Sequence, residues 1–315
     1  MIQLIGRRLL FIVPALLVVS ILVFLMEEVV PGDVGRVILG PYASEEQVAR
    51  LDHQLGADKP LAQRYVDWLG GFVSGRWGES TTQQVPIFSL TMQRLWNSLQ
   101  LAALALLIIV PLSIVLGVVA ALRRDGFVDR TVSVTSLSLT VVPEFVSGVV
   151  LIVLFAVGLH WFPYPAIPPA GASPLTRVYY LILPAIPLMF VEMGYIARMA
   201  RYGMIEALEM PYVRTATLKG LPRRRVVFNH ALRNAMAPTV AVIGTQIGWL
   251  VGGLVVVETL FQYPGIGKLM VDSATYKDVK TLEATVLVIA AIYMFSNLAA
   301  DIVVALLNPR VRYGR

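Results

Sequence analysis

Six long apolar stretches limit what this chain can become more than any single motif does. They run over residues 9–26, 99–122, 132–159, 178–197, 237–257 and 282–307. A helix that crosses a bilayer needs about 20 mostly apolar residues, because its backbone groups must be satisfied within the helix itself. Each stretch comes close to that length or exceeds it. The connecting segments do not restore the balance of a soluble domain: 57% of the chain is hydrophobic and only 15% is charged, against roughly 25% charged in soluble proteins. The expectation is an all-α, polytopic membrane protein with six transmembrane helices and both termini on one side of the bilayer.

Charge then orients the bundle. Taken together, the segments before the first stretch, between the second and third, across 203–236 and after residue 307 hold far more Lys and Arg than Asp and Glu, whereas the opposite segments, chiefly 31–98, balance the two signs. An excess of Lys and Arg marks the cytoplasmic side, which places 203–236 and both termini inside and 31–98 outside. The net charge of +6 thus reports topology, and no nucleic-acid partner is expected. Arg223, Arg224 and Arg225 are too closely tethered between two apolar stretches to serve a DNA-reading helix. With no cysteine there is no disulfide or thiolate site, and His53, His160 and His230 fall in three separate segments, so no metal site and no cofactor held by this chain is expected. Arg7 and Arg8 begin the first stretch as a signal peptide would, but no small-residue cleavage site follows and Glu27, Glu28 and Pro31 close it, which predicts a retained first helix.

The segment after that helix has soluble character. Ser44 followed three residues later by Gln47 is a capping-box spacing and predicts a helix over about 45–54, ending at Gly56. Pro60 opens a second, to Val73, with Leu61, Tyr65, Trp68, Leu69 and Phe72 on one face. Together these form a small helical extracytoplasmic subdomain. Residues 85–95 mix polar and apolar side chains and are expected to lie along the outer surface, with the second span starting near Asn97. The chain accordingly divides into 1–98, a first span plus the extracytoplasmic segment; 99–308, the core; and 309–315, a cytoplasmic tail. The third span is expected to run through Pro143 and Glu144, and Gly244, Gly248 and Gly252 in the fifth form a small-residue ladder that suits internal packing or, alternatively, contact with a second subunit.

Residues 206–238, EALEMPYVRTATLKGLPRRRVVFNHALRNAMAP, read as helix, tight turn, helix. Pro211 suits a first helical turn, Gly220 the left-handed residue that ends it, and Pro222 the start of the next. Val227, Phe228, Ala231, Leu232 and Ala235 recur at helical spacing as one apolar stripe, with Arg223, Arg224, Arg225, Asn229, Arg233 and Asn234 over much of the rest. This stretch resembles the cytoplasmic loop of the inner-membrane permease subunits of ABC importers, whose pattern is EAA, three residues, Gly, nine residues, then I-x-L-P. Arg214, Thr215, Ala216 and Gly220 keep the first spacing; His230 and Leu232 keep the second. Arg and Thr stand for Glu and Ala, His for Ile, and Arg233 for Pro, which is the form of the dipeptide, oligopeptide and nickel branch, matched over 212–216, 219–221 and 230–235. Residues 43–69 with Trp77, Gly78 and Ser80, the turn 261–267 and the ending Asn308-Pro309-Arg310 are similar to that branch too, so the resemblance covers nearly the whole chain.

The resemblance implies the type I ABC importer permease fold in a bacterial inner membrane. It implies an ATPase-coupling loop over 203–236 with Tyr212, Arg214, Thr215, Ala216, Lys219, Gly220, Leu221, His230, Leu232, Arg233 and Asn234. The apolar stripe would grip a groove on a partner, and Arg214 and the basic face would set its register. The implied partners are a second related permease subunit, two cytoplasmic ATP-binding subunits that hold ATP and Mg, an extracytoplasmic substrate-binding protein and the membrane lipid. Di- or oligopeptides are the expected cargo, although nickel chelate, glutathione, opine and sugar importers share the pattern.

A charge inside a bilayer costs about 2.5–3.5 kcal/mol even on lenient scales, so Glu144, Glu192, Glu258 and Asp301 need an explanation. Glu144, Glu192 and Glu258 are the candidates for lining a translocation path; Glu258 and Asp301, near span ends, also suit structural pairing. Residues 265–268, Gly-Ile-Gly-Lys, lack the earlier Gly and the following Ser or Thr of a phosphate-binding loop, so energy must come from another subunit. No catalytic residue is expected, since neither a paired-histidine motif nor a Gly-x-Ser-x-Gly elbow is present. The rival reading is an ion-gradient-driven secondary transporter or channel, which would take up solute without ATPase partners. A membrane scaffold or receptor would leave the intramembrane acids unexplained.

Overall fold

The computed structural model describes residues 2–29, 42, 44–47, 50 and 59–307. Helix α1 covers Ile2–Val29 and α2 covers Leu61–Val73, entered from an extended Pro60. Helix α3, Ile87–Leu122, follows directly on Pro86. Its 36 residues reach about 54 Å at 1.5 Å per residue, well beyond a hydrocarbon core of about 30 Å. The segment 85–95 is therefore not a separate surface element: Ile87, Leu90 and Thr91 are buried on the first turns of α3, and the helix that carries the second span begins well ahead of Asn97.

The third span departs further from expectation. Helix α4, Phe127–Val141, and α5, Glu144–Leu151, which continues as a wide π turn over Ile152–Gly158, meet at a bend of 99°. Pro143 has no N–H to donate, and its ring pushes the preceding residue out of the helical region; Val142 accordingly sits extended at φ −70° and ψ 121°. The stretch 132–159 is two helices that meet at a break, not one continuous helix.

Helix α6, Pro174–Glu209, begins where Ser173 caps the N–H of Thr176 with Pro174 in the first turn. The short α7, Pro211–Leu218, follows after one residue. A single turn, Arg223–Arg225, and a π segment, Val226–Ala231, lead without a break into α8, Leu232–Leu260, which is bent by 49° at Gly252. Helices α9, Ile266–Thr275, and α10, Val279–Leu307, complete the described chain. Four helices are long and apolar enough to cross a membrane, and six spans result when each bent pair counts as one. The chain is an all-α, multi-pass membrane protein, as expected.

Glycines set how closely the spans approach. A Cβ on Gly117 of α3 would strike the carbonyl of Ala197 and the side chain of Ala200 on α6; one on Gly203 of α6 would strike the carbonyl of Ala235 on α8. In the ladder on α8, Gly244 lies against Ala300 and Gly248 against Tyr293 and Asn297 of α10, while Gly252 meets nothing within 4 Å. Helices α3 and α6 run parallel, Leu101 and Ala105 clustering with Leu183 and Leu188 and Val118 and Ala121 with Met204 and Ala207. These two apolar clusters fill opposite ends of the bundle.

At one end stand α2 and α9. Ser20 and Tyr65 share a hydrogen bond of 2.7 Å, Phe24 meets the rings of Tyr65 and Trp68 at 5.5 and 5.6 Å, and Tyr65, Trp68, Leu69 and Phe72 are half-buried while Leu61 is exposed. At the other end stand α7 and the turn 223–225. On the capping box, Gln47 N–H donates to Ser44 Oγ at 3.3 Å and Ser44 N–H to Gln47 Oε1 at 3.1 Å, with 45–47 helical. Most of the remainder of the helix expected there, the turn at Pro31 and residues 308–315 lie outside the described residues.

Candidate functional site

The turn that ends α7 forms as its residues dictate. Gly220 sits at φ +74°, its N–H donating to the Thr217 carbonyl at 3.0 Å, and Leu221 N–H reaches back to Ala216 at 3.4 Å. This is the left-handed closure that glycine permits at a helix C-terminus. Val213 and Ala216 are buried, each with 6% exposure, among Val226, Val227 and Ala231. Tyr212, Arg214, Thr215, Leu218, Lys219 and Gly220 face outward, Leu218 with 81% of its surface free. Leu221, His230 and Leu232 are half-buried, and Arg233 and Asn234 exposed, Asn234 Nδ2 donating to the His230 carbonyl at 3.3 Å.

Two features of the expected hairpin need correction. Its second arm is the beginning of the span α8 rather than a separate helix. The apolar stripe also turns inward: Val227, Ala231 and Ala235 are buried against Val118, Met204 and Ala207 of the same chain, while Phe228 is 54% exposed and Val226 takes its place inside. The cause is the π winding over Val226–Ala231, where bonds close on the fifth residue and the face therefore drifts from α-helical spacing. Leu218 and Phe228 stay exposed in a rim of Arg214, Lys219, Arg223, Arg224 and Arg225.

Glu258 is fully buried. Its Oε1 accepts the Ser98 hydroxyl, and its Oε2 accepts the N–H groups of Gly267 at 2.7 Å and Lys268 at 3.1 Å. Ser98 Oγ in turn accepts the Ile266 N–H at 2.8 Å, and a Cβ on Gly265 would collide with the carboxylate. This group neutralises the N-terminus of α9, where a negative charge is favoured, and joins α3, α8 and α9. Both oxygens of Glu258 are engaged and none of its surface is free.

Glu192 and Glu144 stand differently. Glu192 of α6 is 2% exposed, and its Oε2 is buried without a partner. Glu144, the first residue of α5, is half-buried and lies directly over Gly253 of α8, where any Cβ would strike its carboxylate. Helix α5 packs against α6. Asp301 pairs with Arg8 at 3.0 Å.

Sequence reasoning missed two acids. Asp129, 3% exposed, takes a two-pronged bond from Arg201, at 2.5 and 2.7 Å. Asp278, between α9 and α10, accepts Ser80 Oγ at 2.5 Å and Thr82 Oγ1 at 3.1 Å, and the N–H groups of Thr82 and Thr281 at 3.4 Å. Burial pushes its carboxyl up, but bonds from Ser80, Thr281 and Thr82 outweigh that and hold it below the ordinary value. Trp68 Nε1 donates to Glu283 at 3.0 Å, fixing α2 to α10.

Residues 113–313 match the family described as "Binding-protein-dependent transport system inner membrane component", and residues 1–113 match its N-terminal counterpart, "Binding-prot-dependent transport system membrane comp, N-term". The chain is 37% identical over 336 residues to the di/tripeptide transport system permease protein DppB of Pseudomonas aeruginosa, covering 100% of both chains. It is 35% identical over 310 residues to the oligopeptide transport system permease protein AppB of Bacillus subtilis, covering 98% of each. It is 34% identical over 316 residues to the glutathione transport system permease protein GsiC of Salmonella choleraesuis, covering 99% of this chain and 100% of that one. These relatives are subunits that transport and do not catalyse. Matched along its whole length, with the spans such a subunit requires, the chain belongs to the binding-protein-dependent inner-membrane permeases of ABC transporters.

Proposed function

We propose that this chain is one permease of an ABC importer of di- or oligopeptides. It works beside a second related permease, two cytoplasmic subunits that bind ATP with Mg, and an extracytoplasmic protein that delivers the solute. The three relatives are named for di- and tripeptides, oligopeptides and glutathione, which favours peptide cargo. Both termini and the loop 203–236 face the cytoplasm, in keeping with the Lys and Arg excess there. Residues 1–98 present the outer face, 99–308 form the path and 309–315 the tail, with α3 crossing the first of these boundaries.

The observation that carries the reading is the seating of α7: a short helix keyed by Val213 and Ala216 onto the ends of α6 and α8, with Tyr212, Arg214, Leu218 and Lys219 turned outward. Push on that face and two spans move. Tyr212, Arg214, Thr215, Lys219 and Arg233 meet the ATP-binding subunit. Ala216, Gly220, Leu221, His230, Leu232 and Asn234 hold the shape of the surface.

The test is Arg214→Glu in the full complex reconstituted in vesicles. ATP-driven dipeptide uptake should fall about tenfold or more, the loss of about 1.4 kcal/mol of coupling, with membrane insertion unchanged. Uptake by wild-type vesicles from which the ATP-binding subunits are omitted would refute the reading in favour of a gradient-driven carrier.

A further inference from the structure

Glu192 and Glu144 are acids on neighbouring helices that the surrounding spans leave without a counter-ion. Glu192 keeps only 2% of its surface, and its buried Oε2 has no hydrogen-bond partner. Glu144 adds a second negative group from the broken end of α5, above Gly253. The helix segments around the pair offer nothing positive. Residues 100–122, 131–141, 145–159, 178–197, 237–257 and 284–300 contain no Lys, Arg or His; Arg94, Arg123, Arg130, Arg198 and Lys280 all lie outside them. A buried carboxylate with no cation beside it is strongly disfavoured, and bundles keep such groups where something passing supplies the missing charge.

The backbone points the same way. Glu144 opens a helix at a break in the third span, opposite the 49° bend of α8 at Gly252, and Gly253 offers only hydrogen where a side chain would close the space. Interrupted helices facing each other within the membrane are where transported groups are held. Glu192 Oε2 is left available.

We propose that Glu192, with Glu144 on the neighbouring helix α5, is an intramembrane subsite for the ammonium group of the passing solute. This rests on the importer reading and adds how the cargo is recognised within the path: the N-terminal ammonium of a peptide enters the pair, and its own charge supplies what the helices lack. Selection at this level acts on a positive end group and ignores side chains, which suits a carrier of many peptides.

Two measurements test it. In the first, the purified permease and ATPase complex is heated in lipid nanodiscs with Ala-Phe amide, which carries a free ammonium and no carboxylate, or with its N-acetyl form. The unfolding midpoint should rise saturably with the amide, not with the acetylated compound, and the rise should vanish in Glu192→Gln and persist in part in Glu192→Asp. Equal response to both compounds, no response in the wild type, or an undiminished response in Glu192→Gln overturns the subsite; equal response would mean that a proton meets the charge instead. Should Glu192→Gln not assemble, Glu144→Gln serves, with the same outcomes. In the second, vesicles with the complete importer take up Ala-Phe, and Glu192→Gln should lower uptake about tenfold or more while ATPase stimulation by the loaded binding protein remains. Uptake by that variant within about twofold of the wild type overturns the subsite. ATP-independent uptake, or none, in the wild type refutes the importer reading, and the amide response still decides the cation site.

Discussion

Replacing Glu258 by Ala removes the acceptor for three donors in a place that water does not reach. The backbone N–H groups of Gly267 and Lys268, now at 2.7 and 3.1 Å from Oε2, would be stranded at the start of α9. A buried donor left without a partner costs about 1–3 kcal/mol, so the two together cost about 2–6 kcal/mol, and the vacated volume adds to that. Glu258→Gln should be far milder. Its amide oxygen can still take both N–H groups, and its NH2 can face Ser98, whose hydroxyl proton has the Arg94 carbonyl at 3.2 Å as an alternative acceptor; the expected loss is about 1 kcal/mol. Denaturant titration of the purified subunit or complex in detergent separates the two. Should Glu258→Ala fall within about 0.5 kcal/mol of the wild type, the size of an ordinary surface change, or should the Gln variant be as damaged as the Ala one, Glu258 is not the lock described here.

Gly220→Ala meets no neighbour within 4 Å, so it suffers only the left-handed backbone penalty of about 1 kcal/mol and should retain most uptake. Gly220→Pro cannot adopt φ +74° and loses the bond to Thr217, and should abolish uptake with insertion intact, as vesicle transport and membrane fractionation will read out. Arg201→Ala strands the buried Asp129 carboxylate and should destabilise by about 3–5 kcal/mol, with Asp129→Asn in the same chain restoring much of it; a double variant no better than the single one would refute the pairing. Asp278, held below its ordinary value of 3.8, contributes stability that is fully present above that value and is lost as the pH falls through its folded-state value. Thermal midpoints measured against pH should therefore decline on acidification, and Asp278→Asn should flatten that limb.

The parts legible in the sequence are those written in neighbouring residues. Apolar length gave the spans at 9–26, 178–197 and 282–307, and the chemistry of Pro211, Gly220 and Pro222 gave the turn after α7, since each acts on its own backbone. The 99° break at Pro143 was not read, because membrane helices tolerate proline where neighbours satisfy the freed groups; only the packed bundle decides between a kink and a break. The exchange of Phe228 for Val226 on the buried face hid behind a periodicity that assumed α-helical winding, and six residues of π winding sufficed to shift it. The bonding of Glu258 was not legible because its partners, Ser98 and Gly267, are distant in sequence or look like turn residues. The spacing from Glu258 to the Gly-Ile-Gly start of α9 was the one available signal.

How force enters the bundle can be argued from the seat of α7. Val213 and Ala216 are the buried side chains of that helix. Burying a Val contributes about 1.5–3 kcal/mol and a methyl about 0.8, so the seat is worth about 2–4 kcal/mol. Driving a two-state bundle from 1:99 to 99:1 needs about 5.5 kcal/mol, more than that contact can bear before it slips. The larger share must pass through the chain itself, and the connections are short: Met210 alone joins α6 to α7, and Pro211 stiffens the joint. Two glycines inserted between Met210 and Pro211 would add up to about 7 Å of slack. They should cut peptide uptake about tenfold or more while ATP hydrolysis continues, whereas Val213→Ala should stay within about threefold of the wild type. If the insertion is tolerated and Val213→Ala uncouples, the apolar seat carries the load and the covalent joint does not.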